Sequence, residues 1–148
     1  MAGAEEIQAQ LGYELAVYRE QIAMIKRETE RVSLTTIDLA NALRTVERLS
    51  AETALIPIGG GAMIRGTISN TRVLVPIGAE YMLEMERSEA EQEIRRRIEA
   101  TKKAVEKLTE EFNRIASKLR EVAGQIQQMQ AQTQLSNRVE GNIHEDYI

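Results

Sequence analysis

The chain has 148 residues, enough for one ordinary domain and too few for two large ones. Only 3% of residues are aromatic and 28% are charged, so a compact core built on aromatic bulk is not expected, and burial should be spread along extended surfaces. The net charge of −4 arises from interleaved acids and bases with no basic face, which argues against a nucleic-acid partner, and the lack of cysteine excludes disulfides, thiolate catalysis and cysteine metal sites.

The first ten residues carry neither a basic stretch nor an apolar one, so no secretory signal is expected at this start. No apolar run approaches the ~18 residues of a membrane-spanning helix. A cytoplasmic protein without cysteine fits both observations.

Residues 5–51 contain no proline and one glycine, Gly12. A 4-3 spacing from Tyr18 runs through Ile22, Ile25, Thr29, Val32, Thr36, Leu39, Leu43 and Val46, apolar except for the two threonines. The intervening positions are rich in Arg, Glu and Gln. This predicts one long amphipathic helix with a coiled-coil seam.

The middle segment, residues 53–87, switches from a period of 3.5 to a period of 2. Leu55-Ile56-Pro57-Ile58-Gly59-Gly60-Gly61-Ala62 is followed nineteen residues later by Leu74-Val75-Pro76-Ile77-Gly78-Ala79-Glu80-Tyr81, and the only two prolines of the chain lie in these octets. Alternation continues through Ile64, Gly66 and Ile68 after the first copy, begins at Val73 in the second, and resumes at Tyr81, Leu83 and Met85. Turns are expected at Gly59-Gly60-Gly61, at Ser69-Asn70-Thr71-Arg72 and at Gly78-Ala79. The segment therefore reads as two β-hairpins in tandem, each copy of the phrase opening one hairpin. Proline cannot donate to a ladder and belongs at edges or bulges. Four such strands cannot cover both faces alone, so strands from other chains are expected to complete the sheet.

From residue 88 to 135 the heptad pattern returns. Ser88-Glu89-Ala90-Glu91 has the form of a capping box. The series then reads Ile94, Ile98, Thr101, Val105, Leu108, Phe112, Ile115, Leu119, Val122, Ile126, Met129 and Thr133, without a stutter. Each helix should be on the order of 70 Å long. Their near-equal lengths and the reversing middle segment predict an intramolecular antiparallel hairpin, since a symmetric dimer through one helix would leave two seams uncovered. Residues 136–148, after a glutamine-rich stretch, are expected to form a flexible tail.

Candidate chemistry is sparse. His144, beside Glu145 and Asp146, is expected in a solvated tail and not at a metal. Gly59-Gly60-Gly61 continues into a strand and not a helix, so it reads as a turn and not a phosphate loop. No metal site, no cofactor and no enzyme activity are expected. At the free end of the helical hairpin, Ile7, Leu11 and Leu15 come together with Val122, Ile126, Met129 and Leu135. From the residues alone these are either ordinary seam positions or an adaptable binding surface. Gly12 and Gly124, the sole glycines of residues 5–51 and 88–135, fall at nearly the same height near that end, where they would soften the tip.

The order helix, two β-hairpins, helix, carried by residues 55–66 and 73–79 with their Pro-Ile-Gly phrases, resembles the α-subunit class of archaeal prefoldin over essentially the whole chain. Gly78-Ala79-Glu80 departs from the Gly-Ala-Gly usual in that class. The resemblance implies an ATP-independent chaperone subunit of α+β class, in a hexamer of two α and four β subunits. Its hairpins would complete a β-barrel, through Ile56, Ile58, Ile64, Ile68, Val73, Val75, Ile77, Tyr81 and Leu83. The tip residues would hold non-native client proteins for delivery to a group II chaperonin. A filament-forming or structural coiled-coil relative is the alternative. A nucleic-acid-gripping helical arm, as on some tRNA synthetases, fits neither the mixed charge nor the tandem hairpins.

Overall fold

The computed structural model describes residues 2–145. The elements run α1 (Ala2–Glu47), β1 (Thr53–Gly59), β2 (Ala62–Thr67), β3 (Val73–Gly78), β4 (Tyr81–Met85) and α2 (Arg87–Glu145). Two long helices thus flank two β-hairpins, as the change of period predicts. The first helix already begins at Ala2 and not at 5, and three further boundaries differ from the sequence reading. First, α1 ends at Glu47 and not at 51: Arg48 N donates to Thr45 O and Leu49 N to Val46 O, so the last turn tightens into 3₁₀ form. Second, α2 opens one residue before Ser88. Ala90 N already donates to Glu86 O, which places Ser88 inside the first turn, so it is not the cap. Third, α2 continues through residues 136–145, where a flexible tail is expected. No proline interrupts this stretch, so nothing in it forces the helix to stop, although Arg138, Glu140 and Glu145 are its only strong helix formers. Residues 146–148 and the side chain of His144 lie outside the described residues.

The chain divides into two units. The first comprises residues 31–105, with the hairpins and the adjoining helix ends. Its core is Val46 of α1, Val75 of β3, and Ala90, Ile94 and Ile98 of α2, with Leu39, Leu43, Val73 and Met85 packed against it. All are seam or alternating-strand positions except Ala90, which precedes the α2 series by four residues. Burying several aliphatic side chains in one cluster, each contributing ~1.5–3 kcal/mol, is what holds the second hairpin onto the helices.

Polar contacts reinforce this junction. The Arg87 guanidinium donates to Glu47 O and, at 3.0 Å, to Leu49 O, closing carbonyls left open at the end of α1, while its Nε pairs with Glu91 at 3.2 Å. Arg95 reaches Glu47 at 2.7 Å, and Arg97 donates to the Pro76 carbonyl at 2.8 Å. Farther along the seam, Thr36 and Thr101 meet hydroxyl to hydroxyl at 2.8 Å. With one proton each, one hydroxyl donates across this pair and the other donates back to its own helix, at Val32 O or Ile98 O, so both threonines are satisfied. This rung sets the register of the antiparallel pair.

The second unit comprises residues 2–30 and 106–145. Ile115 and Val122 are buried in it, and Tyr18, Ile22, Ile25, Leu108, Phe112, Leu119, Ile126 and Met129 are half-buried. Lys26 Nζ lies 5.8 Å from the centre of the ring of Phe112, the single phenylalanine. Every position of the α1 seam series is buried or half-buried, whereas Met24, Leu34 and Ile37, which the series skips, are exposed.

Candidate functional surfaces

The two hairpins are built alike. In the first, Ile56 pairs with Ile64 and Pro57 with Met63, then the register shifts and Gly59 faces Ala62. In the second, Val75 pairs with Leu83 and Pro76 with Met82, then Gly78 faces Tyr81. Each proline thus sits beside a bulge, where Ile58 or Ile77 is the extra residue, and a missing donor does no harm there. Both loops are two residues long with positive φ at both positions, the turn that matches the twist of the strands. Gly60 and Gly61 adopt φ of 58° and 80° without steric cost. Ala79 and Glu80 adopt 48° and 64° despite their Cβ atoms. The departure at Glu80 therefore leaves the turn type unchanged and adds strain. The expected bend at Gly78-Ala79 is centred one residue later, on Ala79-Glu80.

Neither hairpin forms a ladder with the other; each is a separate two-stranded sheet. Most of their large apolar side chains face open space. Ile56 is 44% exposed, Ile64 50%, and Ile58, Ile77, Tyr81 and Leu83 are likewise exposed. Ile68 and Val73 are half-buried. Val75 is the exception at 4%, covered by this chain's own α1 and α2. The opposite phase of the alternation is apolar as well: Leu55, Met63, Leu74 and Met82 are exposed. Sequence reasoning named only one phase of each strand. The Leu and Met at the other positions were the signal that both faces of these sheets are apolar.

The predicted tip residues divide by burial. Ile7 and Leu135 are exposed, at 54% and 62%; Leu11, Leu15, Ile126 and Met129 are half-buried; Val122, at 7%, is closed within the seam. Val139, one turn beyond Leu135 on α2, is exposed too and was missed because the helix was expected to have ended. Among the described residues no group of His, Asp and Glu is placed to hold a metal, and no helix is long and apolar enough to cross a membrane.

On α2, two carboxylates are perturbed by neighbouring guanidinium groups. The Arg96 and Arg97 guanidinium groups, hydrogen-bonded to Glu93, hold its carboxyl at about 2. Arg114 depresses Glu111 in the same way. Both are helix-surface pairs at i, i+3 or i, i+4 spacing; Glu93 and Arg96 border an open groove together with Leu83, Glu84 and Met85 of β4.

Comparison with known proteins agrees with this architecture. A family profile described as "Prefoldin subunit" matches residues 18–132. The chain is 31% identical over 128 residues to prefoldin subunit alpha of Methanococcus aeolicus, covering 85% of this chain and 83% of that protein. It is 32% identical over 118 residues to the prefoldin subunit alpha of Pyrobaculum islandicum, covering 78% and 86%. The cryo-EM structure of filamentous PFD from Methanocaldococcus jannaschii shares the fold, with a TM-score of 0.65 at 21% identity, over 77% of this chain and 98% of that one. With two hairpins between two long helices, and with α subunits as relatives over most of its length, the chain belongs to the prefoldin α-subunit family.

Proposed function

We propose that this chain is the α subunit of a cytoplasmic chaperone that holds non-native proteins, assembling with prefoldin β subunits through its hairpins and passing clients to a group II chaperonin. Prefoldin subunits are non-enzymatic chaperones, and holding of this kind needs no nucleotide. The observation that carries the assembly half of the reading is the two-faced apolar surface of the hairpins. Leu55, Ile56, Ile58, Met63, Ile64, Leu74, Ile77, Tyr81, Met82 and Leu83 all lie open on sheets with unpaired edges. Such edges in a lone chain invite aggregation, and strands from partner subunits would cover them. Two α and four β subunits joined in a barrel would do so without leaving an edge. Ile56, Ile58, Ile64, Ile77, Tyr81 and Leu83 then make the contacts, while Val75 serves within the subunit. In the unit of residues 2–30 and 106–145, Ile7, Leu135 and Val139 offer exposed aliphatic groups to a client.

The test is reconstitution. Mixed with an archaeal prefoldin β subunit, the chain should elute as a closed hexamer and suppress aggregation of a denatured client equally with and without ATP. Ile56→Asp with Ile64→Asp should release the partner while the helical circular dichroism persists. An intact complex in that variant, or holding that requires ATP without a chaperonin, refutes the reading. A second reading, open filaments, is favoured by the fold shared with the filamentous protein from M. jannaschii. Length-heterogeneous polymers of the chain alone would support it.

A further inference from the structure

The geometry points to a splaying joint in the second unit, formed by Gly12 of α1 and Gly124 of α2, about which the ends of both helices open as one element. Residue numbers across an antiparallel helix pair sum to a constant. Lys26 over the Phe112 ring fixes that constant in this unit and brings Gly12 opposite Gly124 to within one turn.

Three ordinary reasons for a helical glycine fail at both positions. Neither has positive φ. Neither marks a close approach: a Cβ built on Gly12 or on Gly124 would meet nothing within 4 Å. Neither caps a helix, since α1 begins at Ala2 and α2 ends at Glu145. Each therefore weakens its own helix with no packing in return. Two such weak points at the same height lower the cost of fraying for the pair more than either does alone, because opening one helix uncovers the other's seam.

What the opening would uncover is specific. Val122 is closed in the seam, and Leu11, Leu15 and Ile126 are half-covered. These residues become available only when the helices part. Gly12 and Gly124 flank them. The use of the joint for capture rests on the holding function proposed above; the joint itself does not.

Hydrogen exchange on the full-length chain, followed peptide by peptide, tests it. Gly12→Ala and Gly124→Ala are made singly and together; each new methyl has room, so the fold is kept. Each substitution should slow amide exchange about fivefold, and the pair roughly twentyfold, in residues 8–16 and 120–128. The decisive result is transfer: Gly12→Ala must slow residues 120–128, and Gly124→Ala must slow residues 8–16. Slowing confined to the substituted helix overturns the joint. The double variant should also hold a large denatured client several-fold less well than the parent. Undiminished holding with a slowed tip overturns the joint's part in capture. A parent chain that holds no client at all refutes the proposed function instead, and the exchange result still decides the joint.

Discussion

Truncating Val75 and truncating Ile64 should have opposite rank from what side-chain size suggests. Val75→Ala removes two methyl-sized groups from a site 4% exposed and surrounded by Val46, Ala90, Ile94 and Ile98. At ~0.8 kcal/mol per buried carbon the transfer loss is about 1.6 kcal/mol. The helices and the strand around the site relax only in part, and the residual cavity raises the cost to about 2–3 kcal/mol. Ile64→Ala removes one carbon more, yet Ile64 is 50% exposed, so about half of ~2.4 kcal/mol is lost and no closed cavity forms. The expected cost is about 1 kcal/mol. Urea unfolding of the isolated chain, followed by far-ultraviolet circular dichroism at a concentration where parent and variants have the same size, measures both. If Ile64→Ala costs as much as Val75→Ala, the second hairpin is not docked on the helices as described. In the proposed complex, where a partner strand would cover Ile64, the order should narrow or reverse.

Glu80→Gly should stabilise the chain by about 0.5–1 kcal/mol in the same assay, since relief of a left-handed backbone exceeds the extra freedom glycine has when unfolded; a loss of stability would mean that φ of 64° there is no strain. Arg87→Ala should lower stability by about 1–2 kcal/mol by opening the end of α1, and Arg87→Lys should restore little, because only the planar fork reaches both carbonyls; full rescue by lysine would refute the cap. Glu93 has a folded-state carboxyl near 2, below its ordinary value of 4.5, so it takes up a proton on unfolding between those pH values. Its contribution is therefore complete above about pH 4.5 and lost as pH falls toward about 2, and Glu93→Gln should flatten the acid limb of the stability profile in that window; an unchanged limb would refute it.

The helices and hairpins were legible because period alone distinguishes them. Tyr18 to Val46 and Ile94 to Met129 keep one spacing, and every one of those side chains is buried or half-buried. The end of α2 was illegible for the converse reason. Residues 136–145 have no seam, so periodicity carries no signal there, and with Ser136, Asn137, Val139, Gly141 and Asn142 their local propensity does not announce a helix either. Val75 was misgrouped because alternation tells which face a residue takes, not what covers that face. The contacts of Arg87 with α1 were invisible because they join positions 38 and 40 residues apart through backbone carbonyls, which leave no mark in a sequence.

Leu55-Ile56-Pro57-Ile58-Gly59 and Leu74-Val75-Pro76-Ile77-Gly78 differ at a single residue, and that residue sits where the surroundings of the two copies diverge. Leu55 and Leu74 are both exposed, as are Ile58 and Ile77, but Ile56 is open where Val75 is enclosed. The same phrase thus serves two surroundings with one change: Val75, one carbon shorter, seats on the subunit's own helices, and the larger Ile56 lies on an uncovered face. A third hairpin inserted after Met85 would therefore be constrained at one position in five of its opening phrase, and a subunit could gain strands by repetition without redesigning its helical stem.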